Sequence, residues 1–394
     1  MKLSSTSISI RQLQGTEMDL STSFQLSSVP SQKSSFDSRK RAENRIAVGL
    51  GDYVIAAVEA GVDRSSMVTI DNLKLINEGV SFKVFRAKRL NPASGQRSLV
   101  AVKMLRNLPS DQSLSNYPEK FEFRANQLES LVREVRILCH SPLRDHENIV
   151  RILEWGMGLS SELAEESDEE WDRVAPFICV ELAGLNSLKE YLMNQVSGET
   201  KRELCLDIVQ GLASLHACNV AHGDIKLENV LVFPHPERLV SAKLSDFSHA
   251  FSPSFTSCGT SAYFGTKRCQ PPEVGSSRDK KWTIRDLMGC DVWALGYLFV
   301  EMIADAQVPE DQGVDTLLYG LNLITKVDGM DSSLKGIWRD LLQNCLKSDP
   351  DERGTVQNLR VLLDTTSRSK PLVAAPIDDY NTVFGTIPVS RLDP

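Results

Sequence analysis

The densest group of chemically capable side chains lies in the segment His222 to Asn229, which also holds Asp224 and Lys226. A carboxylate can accept a proton, an ammonium group can neutralise negative charge, and carboxylate or amide oxygens can bind a hard cation. The segment stands between an apolar helical pattern and the strand-like run 230–233. Because polar turns of this composition also occur without a function, the surrounding elements must decide its role.

Those elements change character along the chain. Up to about Leu182, short β-prone runs separated by turn residues predominate, with one amphipathic helical segment near 128–138. Beyond Leu182 the apolar residues recur at helical spacing, and 292–303 is apolar nearly all round, which predicts a central buried helix. Strands followed by helices predict an α+β protein with two lobes and a cleft between them.

In chain order these segments resemble the signature set of the eukaryotic-type protein kinase superfamily, over about residues 68–363. The segment that begins at His222 resembles the catalytic loop H-R-D-x-K-x-x-N. The resemblance implies that Asp224 orients the attacking hydroxyl and accepts its proton, while Lys226 neutralises charge on the γ-phosphate. It also implies a β-rich N-lobe with one long helix, a larger helical C-lobe and ATP as phosphate donor.

The magnesium ligands implied by the resemblance are Asn229 and Asp246. Asp246-Phe247-Ser248 is similar to the D-F-G segment, with Ser248 in place of the glycine. Phe247 would then pack beneath the helix that carries Glu134. Loss of the glycine is expected to restrict the flip that inactivates some kinases.

A nucleotide site is implied on the β-rich side of the cleft. Lys103 of Ala101-Val102-Lys103 matches the lysine that contacts ATP phosphates and pairs with a helix glutamate, here Glu134. The run 180–183 resembles the hinge, whose backbone binds adenine. The implied ATP-binding residues are Ile76, Gly79, Val84, Ala101, Lys103, Glu134, Glu181, Ala183 and Leu231.

The glycine-rich loop is incomplete. Residues 77–84 match its position, but only Gly79 of the three usual glycines remains, since Asn77 and Phe82 stand at the other two. Glycines at these places let backbone N–H groups approach phosphate without an obstructing Cβ atom. Weakened ATP affinity is therefore expected.

Three further matches concern the C-lobe. Pro271-Pro272-Glu273 resembles the A-P-E end of an activation segment, preceded by Gly265-Thr266. The run 291–296 resembles the buried central helix whose aspartate, here Asp291, anchors the catalytic loop. Arg353 matches the arginine that pairs with Glu273. A buried ion pair is predicted, and removal of one partner would cost roughly 3–5 kcal/mol.

Gly223 replaces the arginine of H-R-D, which in many kinases grips a phosphate on the activation loop. Phosphorylation of that loop is therefore not expected to be obligatory. The loop offers several hydroxyl groups, on Ser252, Ser254, Thr256, Ser257, Thr260 and Ser261.

Two other functions stay open. The form His-Gly-Asp is shared with small-molecule phosphotransferases of the aminoglycoside and choline type. These usually lack several elements seen here, and a protein substrate is therefore favoured by Lys226, Glu273, Asp291 and Arg353. A pseudokinase scaffold with weak nucleotide binding is supported by the incomplete glycine loop. The matches for all the chemical residues favour a serine/threonine kinase.

Composition and sequence patterns indicate the partners, the location and the division of the chain. With a net charge of −8 and a pI of about 5.4, the chain is a poor nucleic-acid binder, and basic protein substrates are favoured by steering. No secretory signal or spanning segment is visible, and the eight cysteines are scattered, so an intracellular location, cytoplasmic or nuclear, is expected. The predicted parts are a Ser-rich leader at 1–67 with a short helix at 45–62, an N-lobe at 68–181, a C-lobe at 182–365 and a tail at 366–394.

Overall fold

The structure is a computed structural model that describes residues 50–59, 61, 74–79, 81–90, 95, 97–105, 117–159, 174–254, 263, 265–276, 281–308, 315–327 and 331–364. The leader up to residue 44, the acidic stretch at 162–172 and the tail from 366 lie outside these residues. So do Thr256, Ser257, Thr260 and Ser261 of the activation loop.

The N-terminal half of the described chain forms one antiparallel five-stranded sheet in the order β1-β2-β3-β5-β4. Its strands are β1 (Lys74–Glu78), β2 (Phe82–Leu90), β3 (Arg97–Leu105), β4 (Ile152–Leu159) and β5 (Val174–Glu181). Successive side chains of a strand point to opposite faces. In β3, Val102 and Met104 therefore join Phe85 in one apolar cluster, while Ala101 packs into the main core.

Three helices accompany this sheet, α1 (Leu50–Glu59), α2 (Tyr117–Cys139) and α3 (Ser141–Arg144). Helices dominate the remainder of the described chain, namely α4 (Leu188–Tyr191), α5 (Gly198–Ala217), α6 (Pro272–Ser276), α7 (Ile284–Ile303), α8 (Thr316–Lys326), α9 (Ser332–Cys345) and α10 (Val356–Asp364). A hairpin of β6 (Val230–Pro234) and β7 (Val240–Leu244) lies among them, with 3₁₀ helices at Leu227–Asn229, Lys267–Cys269 and Pro350–Glu352. The predicted α+β class is confirmed, whereas the domain boundaries stay predictions.

Helix α7 forms the centre of the C-terminal part. A capping box between Thr283 and Asp286 satisfies its first backbone N–H groups. Most of its residues are buried, as the apolar run at 292–303 predicts. Nearby, Arg353 donates two hydrogen bonds of 2.7 Å to the two carboxylate oxygens of Glu273, and its own side chain is 1% exposed. The structure thus contains the predicted ion pair.

The helix predicted within 45–62 is α1, and it docks on the β-rich lobe by packing against α2. Tyr53 is fully buried, its hydroxyl donates a 2.6 Å hydrogen bond to the carbonyl of Phe177 in β5, and its ring packs edge-on against Trp155. Ala56 and Ala57 are also buried. Helix α1 is therefore part of the core that supports α2.

We expect Tyr53→Ala to lower the free energy of unfolding by about 3–5 kcal/mol, because it removes a buried ring and strands a buried carbonyl. Ile55→Ala, in the same helix but at a side chain that is 54% exposed, should change it by less than about 0.5 kcal/mol. Urea unfolding monitored by tryptophan fluorescence measures both. Equal effects of the two variants would mean that α1 is not docked.

Candidate active site

The loop that carries Asp224 is anchored by Asp291, whose fully buried carboxylate comes from the core helix α7. One carboxylate oxygen accepts the backbone N–H of His222 at 2.7 Å, and the other accepts that of Gly223 at 2.9 Å. The ring Nε2 of His216 lies 3.0 Å from the same carboxylate. These contacts satisfy a charge that would otherwise be costly to bury.

Gly223 is required by the shape of this loop. Its φ of +77° lies in the left-handed region, and a Cβ atom placed on it would come within 2.4 Å of the carbonyl oxygen of His249. An arginine at this position, as in H-R-D, would need both a strained backbone and a shift of the neighbouring chain. The backbone conformation of this loop therefore requires glycine at position 223, where the family pattern has arginine.

The carboxylate of Asp224 accepts hydrogen bonds from three other residues. Lys226 Nζ lies 2.6 Å from Oδ2, and Asn229 Nδ2 lies 3.0 Å from the same oxygen. Thr266 donates to Oδ1 through its backbone N–H at 2.9 Å and its hydroxyl at 2.7 Å. Burial alone would raise the pKa of Asp224, but the hydrogen bonds from Lys226 and Thr266 outweigh it and lower the pKa.

Thr266 was missed as a functional residue by the sequence reasoning. The segment Gly265-Thr266 was recognised only as part of the activation segment. The structure shows that the Thr266 hydroxyl also accepts from Lys226 Nζ at 3.0 Å, so it bridges both residues of the proposed catalytic pair. The feature of the sequence that could have indicated a functional role for Thr266 is its position six residues before Pro272.

Lys103 lies between two acidic side chains. Its Nζ is 2.6 Å from Glu134 on α2 and 2.8 Å from Asp246. Burial would lower the pKa of Lys103, but the attraction of Asp246 and Glu134 raises it, so the ammonium stays charged. Lys103 and a hydrogen bond from Ser248 in turn lower the pKa of Asp246 against the effect of burial. The pairing predicted from the sequence is present.

The segment that follows Asp246 is tied to two other parts of the site. Phe247 is fully buried, as expected of a residue that packs beneath α2. Arg133, beside Glu134, donates a 2.5 Å hydrogen bond to the carbonyl of Ser248. Asp246 itself has a left-handed φ of +62°, a strained conformation that is typical of functional sites.

Phe82, at the third glycine position, is buried against the site. Its ring lies with its centroid 4.4 Å from Lys103 Nζ, which is a cation–π distance. Its carbonyl accepts the N–H of Gly79 at 2.8 Å and so closes the β1–β2 turn. The aromatic ring therefore covers one side of the ammonium group that is proposed to meet phosphate.

The other residues predicted to bind ATP occupy different environments. Val84 and Leu231 are half-buried and pack against the main core, and Ala101 is buried. Ile76 is 47% exposed. Ala183 follows β5 and is half-buried. Their roles in binding a nucleotide stay predictions.

Glu181 links the two lobes through its side chain. It lies 2.7 Å from Lys243 Nζ on β7, and it accepts the backbone N–H of Arg151 at 2.9 Å. This carboxylate is therefore engaged by protein groups, and any contact of Glu181 with adenine falls to its backbone. That agrees with the hinge role implied by the resemblance.

The donor set fits a magnesium nucleotide. Asp246, whose side chain is 38% exposed, offers a carboxylate, and Asn229 offers an amide oxygen, the ligand types that Mg²⁺ prefers. The part of the chain that the structure describes holds no group of three or more His, Cys, Asp or Glu side chains able to bind a metal. Mg²⁺ typically takes one or two protein ligands together with substrate phosphates, so this arrangement is suitable.

A second ionic cluster lies beside Thr266. Arg268 Nε is 3.3 Å from Glu301 Oε1, and the Glu301 side chain on α7 is only 8% exposed. Burial raises the pKa of Glu301 to about 7, although Arg268 acts to lower it. Neither residue was singled out from the sequence.

The sequence of this chain matches a known protein family. A family model described as "Protein kinase domain" matches residues 71–361. The chain belongs to the protein kinase domain family. That family generally uses ATP and Mg²⁺, and helix α1 lies before the matched region.

Several curated kinases are similar to this kinase domain at low identity. Serine/threonine-protein kinase ste20 of Aspergillus oryzae is 25% identical over 82% of this chain and 32% of its own length. The Aurora kinase of Schizosaccharomyces pombe is 29% identical over 61% of this chain and 60% of its own. The membrane-associated tyrosine- and threonine-specific cdc2-inhibitory kinase of Drosophila melanogaster is 25% identical over 73% and 46%. The chain spans less than two thirds of the length of each of these relatives.

No helix among the described residues is both long and apolar enough to cross a membrane.

We expect Phe82→Ala to tighten ATP binding roughly three- to tenfold, because it removes the cation–π partner that competes with phosphate for Lys103. Phe85→Ala is the matched control, since Phe85 is a buried phenylalanine of the same strand in a different apolar cluster. It should lose similar stability without any gain in affinity. Isothermal titration of ATP with Mg²⁺ measures both, and an unchanged or weaker affinity of Phe82→Ala would contradict the expected obstruction.

The raised pKa of Glu301 makes stability depend on pH. The folded protein keeps a proton on Glu301 up to about pH 7, whereas the unfolded chain releases it near pH 4.5, so this contribution is lost as the pH rises between these values. Relative to Glu301→Gln, the parent should lose up to about 3 kcal/mol between pH 5 and pH 8. Chemical denaturation across that range gives the difference, and a constant offset would show that Glu301 does not titrate there.

Proposed function

We propose that this protein is an ATP-dependent protein serine/threonine kinase, which transfers the γ-phosphate to a hydroxyl of another protein. The observation that carries the proposal is the environment of Asp224. Lys226, Asn229 and Thr266 all direct donors at this carboxylate. Family membership supports a kinase, and the geometry supports the catalytic roles.

Asp224 orients the acceptor hydroxyl in this mechanism. Its lowered pKa keeps the carboxylate ionised at neutral pH and makes it a weak base. It therefore hydrogen-bonds the hydroxyl from the start and takes the proton late, as the oxygen attacks phosphorus. Most of the rate then comes from positioning and from charge stabilisation rather than from strong base catalysis.

Lysine side chains supply positive charge on two sides of the transferred group. Lys226, 2.6 Å from Asp224, neutralises charge that develops on the γ-phosphate. Lys103, held charged between Glu134 and Asp246, binds the phosphates nearer the nucleoside. Asp246 and Asn229 would hold Mg²⁺, which would further neutralise the phosphate charge.

The serine/threonine preference rests on Lys226 and its contact with Thr266. The description of the ste20 relative as a serine/threonine-protein kinase favours this preference. One similar protein is described as tyrosine- and threonine-specific. The test must therefore determine whether serine, threonine or tyrosine is phosphorylated.

A pseudokinase scaffold is the second candidate, and the contact of Phe82 with Lys103 favours it. A ring on the phosphate-binding lysine would weaken nucleotide binding without affecting Asp224. A small-molecule phosphotransferase, the third candidate, is disfavoured by the Glu273–Arg353 pair near the end of the activation segment. The protein substrate, and its basic character, stay proposals.

We also propose an intracellular location, in the cytoplasm or the nucleus. Among the described residues no disulfide is formed, as expected in a reducing compartment, and this applies to Cys139, Cys179, Cys205, Cys218, Cys269, Cys290 and Cys345. Burial raises the pKa of Cys205 and Cys345.

The deciding experiment is transfer of labelled phosphate from ATP and Mg²⁺ to a basic test protein. Asp224→Ala should lower the rate at least about a thousandfold, because the hydroxyl loses both its orienting partner and its proton acceptor. Asp340→Ala, an exposed aspartate on α9, should leave the rate unchanged. The parent's label should appear on serine or threonine.

Absence of transfer by the freshly purified parent, with ATP binding intact, would replace the kinase proposal with the scaffold. Label on tyrosine alone would contradict the serine/threonine assignment. Equal transfer by the parent and Asp224→Ala would remove Asp224 from the mechanism.

A further inference from the structure

Arg268 lies next to the proposed acceptor site and is held by two carboxylates. It follows Thr266 by two residues, and Thr266 contacts Asp224 directly. Two residues of chain span at most about 7 Å. The neighbours of an acceptor hydroxyl at Asp224 therefore pass close to Arg268.

The two carboxylates come from separate elements. Glu228, between Lys226 and Asn229 of the catalytic loop, accepts two hydrogen bonds from Arg268 Nη2, at 2.9 and 2.8 Å. Glu301 projects from the core helix α7 and meets Arg268 Nε at 3.3 Å. The guanidinium thus bridges the catalytic loop and the core helix.

This pair of carboxylates can accept more hydrogen bonds than Arg268 donates. Glu301 Oε2 is buried and has no hydrogen-bond partner among the residues that the structure describes. The Glu301 side chain is 8% exposed, so this oxygen is also shielded from water. A buried acceptor without a donor is unusual, so the ionised form of Glu301 has an unused capacity to accept from a further cationic or donor group.

Above about pH 7, where Glu301 is ionised, the charges at this position nevertheless cancel. Lys189 on α4 lies 2.8 Å from Glu228, so two cations, Arg268 and Lys189, face the two carboxylates. Arg268 is 36% exposed and Glu228 is 32% exposed, and both are therefore within reach of a peptide. A peptide cation that approached this pair would find its negative charge already neutralised.

We propose that Arg268 is a specificity-determining residue: it fills, from within the chain, a carboxylate pair beside Asp224 that would otherwise bind a cationic side chain of the substrate. This inference rests on the proposed kinase function. The parent then has no local preference for arginine near the acceptor residue, whatever long-range steering the net charge of the chain supplies. Removal of the guanidinium frees Glu228 and Glu301 for a substrate arginine.

A positional-scanning peptide library tests the proposal at pH 8, above the pKa of Glu301. The peptides have a serine acceptor and arginine or alanine at each of the four positions on either side. Arg268→Ala should gain a preference for arginine of roughly tenfold or more at a position within about three residues of the serine. Lys267→Ala is the matched control, because it removes the same charge from an exposed neighbour in the same 3₁₀ helix. It should show the profile of the parent.

The double variant Arg268→Ala, Glu228→Gln should lose the gained preference, since one of the two receiving carboxylates is then neutral. A folded Arg268→Ala protein that transfers phosphate without a preference for arginine would overturn the proposal. So would a parent that already selects arginine at the same position as strongly as the variant.

A binding measurement separates this proposal from the catalytic one. The probe is the arginine peptide preferred by the variant, or a peptide with arginine at every flanking position if no variant is active, with alanine in place of the acceptor serine. Its affinity is compared with that of the same peptide carrying uncharged citrulline. Arg268→Ala should bind the arginine form roughly tenfold more tightly, and the parent should not discriminate.

If no variant transfers phosphate, the proposed kinase function fails, while the difference in peptide affinity still decides the role of Arg268. Equal discrimination by the parent and Arg268→Ala would overturn that role.

Discussion

The carboxylate of Asp291 is the contact on which the geometry of the site depends. It is fully buried in α7, and it receives the successive backbone N–H groups of His222 and Gly223. A buried charge of this kind is stable only when donors surround it, so the loop and the core helix hold each other in place. Asp224 is the next residue along and takes its position from this anchor.

Charge balance organises the other half of the site. Lys103 on β3 is shared by Glu134 from α2 and Asp246 from the segment after β7, so a single ammonium group joins three elements. The position of α2 depends on its neighbours, and α1 packs against it through a core that includes Tyr53. A helix outside the matched kinase region thus supports a residue inside the site.

At two positions the chain departs from the family pattern, and at a third its own arginine is proposed to fill a carboxylate pair beside Asp224. Phe82 stands over Lys103 in place of a glycine, and Gly223 replaces an arginine because the carbonyl of His249 leaves no room for a Cβ atom. Arg268 fills the carboxylate pair of Glu228 and Glu301. Each change alters how the site meets its ligands, while the proposed catalytic residues and their contacts remain.

The sequence by itself determined the class of fold and indicated the residues that we propose as the chemical centre. The spacing within His222 to Asn229 and the pattern of strands before helices were enough, because local order along the chain is encoded in periodicity and in short motifs. It also indicated the partners Lys103 with Glu134 and Glu273 with Arg353 through their places in the motif order. Both pairs are present in the structure.

Only the tertiary structure decided which distant side chains share a site. Thr266 meets Asp224 across 42 positions of sequence, and Arg268 meets Glu301 across 33. Tyr53 reaches the carbonyl of Phe177 across 124. No periodicity links such residues, because their proximity is set by the packing of whole elements and by the burial of charge, which appear only once the chain has folded.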